Sequence, residues 1–327
     1  MSTATSTPRA WTLLALRWVA TVAILALVLQ MIDLPQLVNQ LSRVPAGFIV
    51  LALGLSVAQV ALSAWRWHFT ARQLAVSLPY PLAFREYYLA GFLNQVLPGG
   101  VMGDVNRAWR HSRSQAAGTR IRESRLAVIH AVVLERLSGQ MVLVPVVIMA
   151  LLALWGAGRF DTTAQASGLA LSAWYWLVLL MLLAVAGWLL VVSGKAMALV
   201  RYTRRLTRDI EVAFGGWRTG SLQLATSMAV LLTYLGVFAL VAVGMGAVSM
   251  LTELFITLAL CSVLLLAMVV PITVSGWGVR EGAAALLWPA VGWPAEVGVA
   301  ISVGYGALVF LASMPGALVL FRRAPRA

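Results

Sequence analysis

The stretch Asn94-Gln95-Val96-Leu97-Pro98-Gly99-Gly100-Val101-Met102-Gly103-Asp104-Val105-Asn106-Arg107 closes a run that is apolar from Leu82 and broken by Arg85 and Glu86. Proline and paired glycines end a helix, so this run stops after fewer residues than a bilayer crossing needs. A second stretch behaves alike. Residues 253–270 are apolar and stop at Pro271. Val274-Ser275-Gly276-Trp277-Gly278-Val279-Arg280-Glu281-Gly282 follows, and then a short apolar piece from Ala283 to Val291. Both stretches are predicted to be re-entrant or broken helices inside a membrane.

The membrane follows from composition. Of 327 residues, 61% are hydrophobic and 11% are charged, more apolar surface than a soluble domain of that length can cover. Backbone groups in lipid are satisfied only by helices or closed barrels, and long apolar runs without strand alternation select helices. Six stretches are long enough to cross: 11–31, 47–65, 126–155, 171–193, 221–248 and 296–320. The run from Trp11 to Met31 contains Arg17, exceeds the core of a signal peptide and lacks a small-residue cleavage pattern, so it reads as a retained span. The expected fold is all-α, a single transmembrane domain over 1–327 with six full crossings and two broken helices.

The formal charge of +13 would suggest nucleic acid in a soluble protein. Here it belongs to cytoplasmic loops, which collect Arg and Lys, and no nucleic-acid partner is expected. If both broken segments enter and leave on one side, nearly all basic residues fall on the side of the N-terminus. Arg43 and Arg159 fall opposite, and Arg136 and Arg280 stay within the membrane. A full crossing by 82–97 would place the arginines of 107–125 outside. The pattern therefore predicts a multi-pass protein of a bacterial-type cytoplasmic membrane with both termini cytoplasmic. Cys261 is the only cysteine and forms no internal disulfide. His68, His111 and His130 lack metal-site spacing, so neither metal nor cofactor is expected.

The two breaks also resemble each other. Pro98-x-x-Val101-x-Gly103-x-x-x-Arg107 matches Pro271-x-x-Val274-x-Gly276-x-x-x-Arg280. Each break follows two crossings and precedes a third, which predicts two pseudo-repeats, about 11–157 and 171–320, in inverted orientation. Paired interruptions of this kind point to a midplane binding site in transporters.

Glycines at 99, 100 and 103 permit close backbone approach to a ligand. A helix starting after them would aim free N–H groups at an anion, or be capped by Asp104. Asp104 and Arg107 are one helical turn apart and are able to pair. Glu135 and Arg136 lie in the span 126–155, with Glu135 ~13 Å from its start. Ionisable groups at that depth face a bundle interior or an aqueous cavity. Adjacent helix positions point about 100° apart, so these two are expected to find different partners. Arg280 and Glu281 sit among Gly276, Gly278 and Gly282, and a guanidinium suits a phosphate through its forked donors. The candidate substrate-binding residues are Asn94, Gly99, Gly100, Gly103, Asp104, Arg107, Glu135, Arg136, Ser275, Gly276, Gly278, Arg280 and Glu281. Convergence of Arg136 and Arg280 with their carboxylates would suit a zwitterionic or amino-bearing phospholipid head. The alternative for each charge is a structural ion pair.

Residues 195–218 carry Lys195, Arg201, Arg204, Arg205 and Arg208 between apolar residues. That pattern fits either an amphipathic helix on an anionic leaflet or an ordinary basic loop. Trp65, Trp67, Trp174, Trp176, Trp288 and Trp293 lie near span ends, where tryptophan anchors helices at the interface.

Asn94, Leu97-Pro98-Gly99-Gly100-x-x-Gly103-Asp104-x-x-Arg107, Glu135-Arg136-Leu137, and Pro271 with Gly276-x-Gly278-x-Arg280-Glu281-Gly282 together resemble the membrane domain of the lysylphosphatidylglycerol synthase/flippase family. Met102 stands where that family would place another glycine. Members with the complete activity carry a soluble aminoacyl-transferase domain, whereas this chain ends at Ala327 just after its last span. The resemblance therefore implies the lipid-translocating half, acting on an anionic or zwitterionic phospholipid or a lipid-linked head. Two alternatives stand beside it: a membrane-embedded transferase using Asp104, Glu135 or Glu281 as base, and an accessory protein presenting lipid to a lipid-modifying enzyme.

Overall fold

The computed structural model describes residues 34–97, 100–114, 121–160, 196–269 and 273–321, with scattered helical positions between Trp18 and Gln30. The order is α1 (Leu34–Ser42), α2 (Ala46–Gln73), α3 (Tyr80–Val96), α4 (Met102–Ser114), α5 (Ile121–Gly156) and α6 (Ala196–Phe214). It continues with α7 (Trp217–Gly244), α8 (Leu251–Ala267), α9 (Val279–Ala290), α10 (Ala295–Ser313) and α11 (Pro315–Phe321).

Four stretches are long and apolar enough to cross a membrane: Ala46–Gln73, Leu126–Gly156, Trp217–Gly244 and Ala295–Val319. They coincide with four of the six expected spans, and the chain is a multi-pass membrane protein. The expected crossings 11–31 and 171–193 lie essentially outside the described residues. One boundary is corrected. The second span does not stop at Trp65, because the apolar pattern resumes at Trp67 and Phe69 and the helix continues to Gln73. Arg66 is therefore inside a helix, 4% exposed, rather than in a cytoplasmic loop.

Both anticipated breaks are present as helix, turn and helix. Proline opens the first pair: Pro79 stands at the N-cap of α3 with Pro81 just inside it, where a missing N–H costs nothing. The α3 helix ends at Val96, and α4 restarts at Met102. In the second pair α8 ends at Ala267 and α9 restarts at Val279. Ser275, Gly276 and Gly278 turn the chain there with φ of 53°, 76° and 86°. The two breaks differ in detail. Arg107 lies in the second turn of its helix, whereas Arg280 is the second residue of α9.

The larger hydrophobic core joins the spanning helices to α8 and α9, and Phe238 stacks on Tyr305 within it at 3.8 Å between ring centroids. A smaller core gathers Trp67, Tyr87 and Val128 around the first break. The backbones of α11 and α3 touch: a Cβ on Gly316 would lie 2.2 Å from the Tyr88 carbonyl oxygen. Trp67 and Trp288 are fully buried, so they are core residues and not interfacial anchors. Trp174 and Trp176 lie outside the described residues. The basic segment is helical as α6, and its Asp209 bonds His130 of α5.

Candidate functional site

Three arginines and two carboxylates from three helices meet beside the first break. Glu135 on α5 is wholly buried and is the hub. Its Oε1 accepts from Arg66 Nη2 on α2 and, at 3.3 Å, from the Tyr87 hydroxyl on α3. Its Oε2 accepts from Arg107 Nη2 on α4 at 2.6 Å. Arg66 also reaches Ser227 Oγ on α7 at 3.1 Å. Charged hydrogen bonds of this kind offset the large desolvation cost of ions inside a fold.

The neighbouring Arg136 turns elsewhere, as helix geometry requires. Its Nη2 donates to Asp104 Oδ1 at 2.8 Å, while its Nε stands 4.0 Å from Glu135. Asp104 is shared, since Arg107 Nε lies 2.9 Å from the same oxygen. The Arg107 guanidinium sits 4.6 Å from the centroids of both Trp67 and Tyr87, an aromatic clamp that fixes its plane. Three cations against two anions leave one positive charge in excess. Arg107 is 1% exposed along its side chain, but Arg136 is 42% exposed. Arg136 lies ~15 Å along the span from Leu126.

Asn94 holds the break against this cluster. Its Oδ1 accepts the Gly103 N–H at 2.7 Å, and its Nδ2 approaches Asp104 Oδ2 at 3.4 Å. One of the N–H groups expected to await an anion is thus filled by a side chain. Gly103 is required by close approach: a Cβ there would meet the Ala90 carbonyl oxygen at 2.0 Å. Gly100 takes φ of 60°. Met102 is the first residue of α4 in ordinary backbone, so no glycine is needed there. Gly99 lies outside the described residues.

The second break has its own, electrically closed pair. Arg280 Nη2 and Glu281 Oε1 are 2.6 Å apart, Arg280 Nε donates to Ser302 Oγ at 2.8 Å, and Ser302 donates to Glu281 at 3.0 Å. Glu281 Oε2 accepts the Gly278 N–H at 2.7 Å, capping α9. Trp277 and Tyr305 flank the guanidinium at 5.0 and 5.3 Å, and it is 2% exposed. No hydrogen bond or ion pair joins Arg280 to Arg136 among the described residues. The breaks meet instead through Ser275, whose Oγ donates to Gln95 Oε1 at 2.8 Å.

The sequence of this break-and-cluster arrangement matches the family described as Lysylphosphatidylglycerol synthase TM region over residues 13–316. The chain belongs to that family. Membership in the lysylphosphatidylglycerol synthase membrane-region family ties the protein to lipid modification or translocation. No curated protein matches the chain, and neither does any solved structure.

Within this family member, Asn94, Gly103, Asp104, Arg107, Glu135 and Arg136 come together at one place. Ser275, Gly276, Gly278, Arg280 and Glu281 form a neighbouring unit tied to it at Gln95. Sequence reasoning missed Arg66, Tyr87 and Gln95. The apolar residues beyond Arg66 were the available sign that it lies within a helix.

Proposed function

We propose that the protein moves a polar-headed lipid between the leaflets of the cytoplasmic membrane, the head passing the Asp104–Arg136 end of the buried cluster. The observation that carries this reading is Arg136, a 42% exposed cation held within an apolar spanning helix. Charge at such depth is costly and belongs to transport pathways and relays. In this reading the chain crosses six times as two inverted pseudo-repeats with both termini cytoplasmic. The first broken helix enters from the cytoplasm and the second from outside. Arg107, Glu135 and Arg66 set the position of Arg136 and Asp104, and Arg280 with Glu281 braces the second break.

A transferase would need a carboxylate available as base, and Asp104, Glu135 and Glu281 are all engaged by arginine. Reconstitution in liposomes with headgroup-labelled lipids tests the reading. Leaflet exchange is measured by quenching of outer-leaflet label, and lipid mass by spectrometry. Exchange at unchanged mass is expected. A product of new mass would favour the transferase, and neither exchange nor conversion over a broad lipid panel would favour an accessory role beside a lipid-modifying enzyme.

A further inference from the structure

Arginines face outward at the end of the bundle where α6 leads into α7. Arg205 and Arg208 are exposed on α6, and Arg218 is exposed on the first turn of α7. None of the three forms an ion pair among the described residues. Positions 201, 205, 208 and 212 follow one another along one side of the helix, three of them arginine and the last Val212, which is 46% exposed. The apolar side of α6 is already in use. Ala213 is buried, Leu206 and Ile210 are half-buried, and α6 packs on α2, α5 and α7. Asp209 is engaged by His130 of α5, while Glu211 stays exposed. A helix lying apolar side down in the lipid would turn its other flank outward.

The basic side of α6 stands close to the membrane surface. Trp217 opens the apolar stretch Trp217–Gly244 and is 87% exposed, and tryptophan at the end of a span sits at headgroup level. Phe214 closes α6 just before it, and a Cβ on Gly220 would lie 2.9 Å from the Phe214 carbonyl oxygen, so the end of α6 meets the first turn of α7. Gln223 of α7 donates to Thr70 of α2 at 2.8 Å, which brings exposed Arg72, in the last turn of α2, to the same rim. We propose that the outer face of α6, with Trp217 and Arg218, docks on the anionic surface of the adjoining leaflet, held by charge and not by insertion of the helix. Arg72, Arg205, Arg208 and Arg218 stand against Glu211 there. Anionic headgroups attract basic groups within about a Debye length, ~8 Å at physiological salt, a gap that arginine side chains beside the membrane edge can bridge. An acidic protein would match the arginines but leave Trp217 unexplained, whereas a leaflet accounts for both. Asp209 and His130 fix this surface to α5, the span that carries Glu135. The inference is independent of what the buried cluster handles.

The full chain with Val212→Cys in a Cys261→Ala background, carrying a fluorophore at residue 212, tests this in nanodiscs. Quenching by aqueous acrylamide, which is uncharged, reports how open residue 212 is to water. Discs of phosphatidylcholine with about 30% phosphatidylglycerol should lower that quenching roughly twofold relative to phosphatidylcholine alone. Salt at about 1 M, where the Debye length falls to ~3 Å, should remove the difference. Arg205→Gln with Arg208→Gln should abolish it, and Arg205→Lys with Arg208→Lys should retain it. A fluorophore at Ser249→Cys, beyond the far end of α7, should respond to neither lipid. Equal quenching in the two kinds of disc overturns the inference, as does shielding that survives the glutamine substitutions or appears equally at residue 249. Loss of shielding in the lysine variant would point to a forked phosphate contact and overturn docking by charge alone. Shielding by added polyglutamate in phosphatidylcholine discs, with none from phosphatidylglycerol, would assign the face to an acidic protein and overturn it as well.

Discussion

Ser275 and Gln95, 180 residues apart, join the two broken helices through one 2.8 Å hydrogen bond. Gln95 adjoins Asn94, which holds both the Gly103 N–H and Asp104. The tip of the second break is therefore mechanically continuous with the charged cluster at the first. Ser275 adopts φ of 53° to make the bond, a conformation that most residues avoid.

Loss of this bond should be measurable as coupling. Ser275→Ala and Gln95→Ala should each lower stability by about 0.5–1.5 kcal/mol. The double variant should fall short of their sum, since each single change already removes the shared bond. Thermal melts of the four proteins in detergent give the answer, and strict additivity would mean that the bond is not formed in the membrane-extracted protein.

Glu135→Gln should be far more damaging. It leaves Arg66 and Arg107 buried with reduced compensation, a loss of about 3–5 kcal/mol. The melting temperature should drop sharply, and a melt indistinguishable from the parent would remove Glu135 from its place as hub.

Two glycines on either side of one contact give a controlled comparison. Gly103→Ala drives a methyl into the Ala90 backbone, where no side chain can move aside, and overpacking of this kind costs about 1–3 kcal/mol. Gly91→Ala meets nothing within 4 Å, and alanine favours helix by up to about 1 kcal/mol. Opposite signs are expected from denaturation of the two variants.

Arg280 separates brace from contact. Arg280→Met strands Glu281 in a buried site, with an expected loss of about 3–5 kcal/mol. Adding Glu281→Gln keeps an acceptor for the Gly278 N–H and should recover most of it. If the stable double variant still exchanges lipid, the pair supports the fold. A stable double variant without exchange would make Arg280 a lipid contact.

Sidedness can be read with single cysteines in a Cys261→Ala background. Arg110→Cys and Arg218→Cys should label from the cytoplasm, and Arg159→Cys and Ser249→Cys from outside. Labelling of Arg110→Cys from outside would mean that α3 crosses fully and that the first break is not re-entrant.

Four of the six spans and both breaks were legible in the sequence because both are local. A run of apolar residues sets the helix, and proline with nearby glycines in the sequence marks where it stops to within a few residues, at Val96 and Ala267. The separate partners of Glu135 and Arg136 were legible for the same reason, since the angle between adjacent positions is fixed. Arg66 was not, because one charge at the end of an apolar run looks alike whether the helix stops or continues. Trp67 and Trp288 were misjudged on similar grounds. Nothing local distinguishes a tryptophan at an interface from one packed under an arginine or against Gly298. The link from Ser275 to Gln95 spans more than half the chain, and no spacing rule reaches that far.

The contact of Gly316 with the Tyr88 carbonyl sets an order of events during synthesis. The α3 helix is made early and inserted with one flank uncovered, because α11 emerges from the ribosome more than two hundred residues later. Until then the first broken helix must be shielded by lipid or by the insertion machinery. A ribosome that stalls before Pro315 releases a chain whose charged cluster is assembled against an incomplete wall, a state that membrane quality-control proteases are suited to detect.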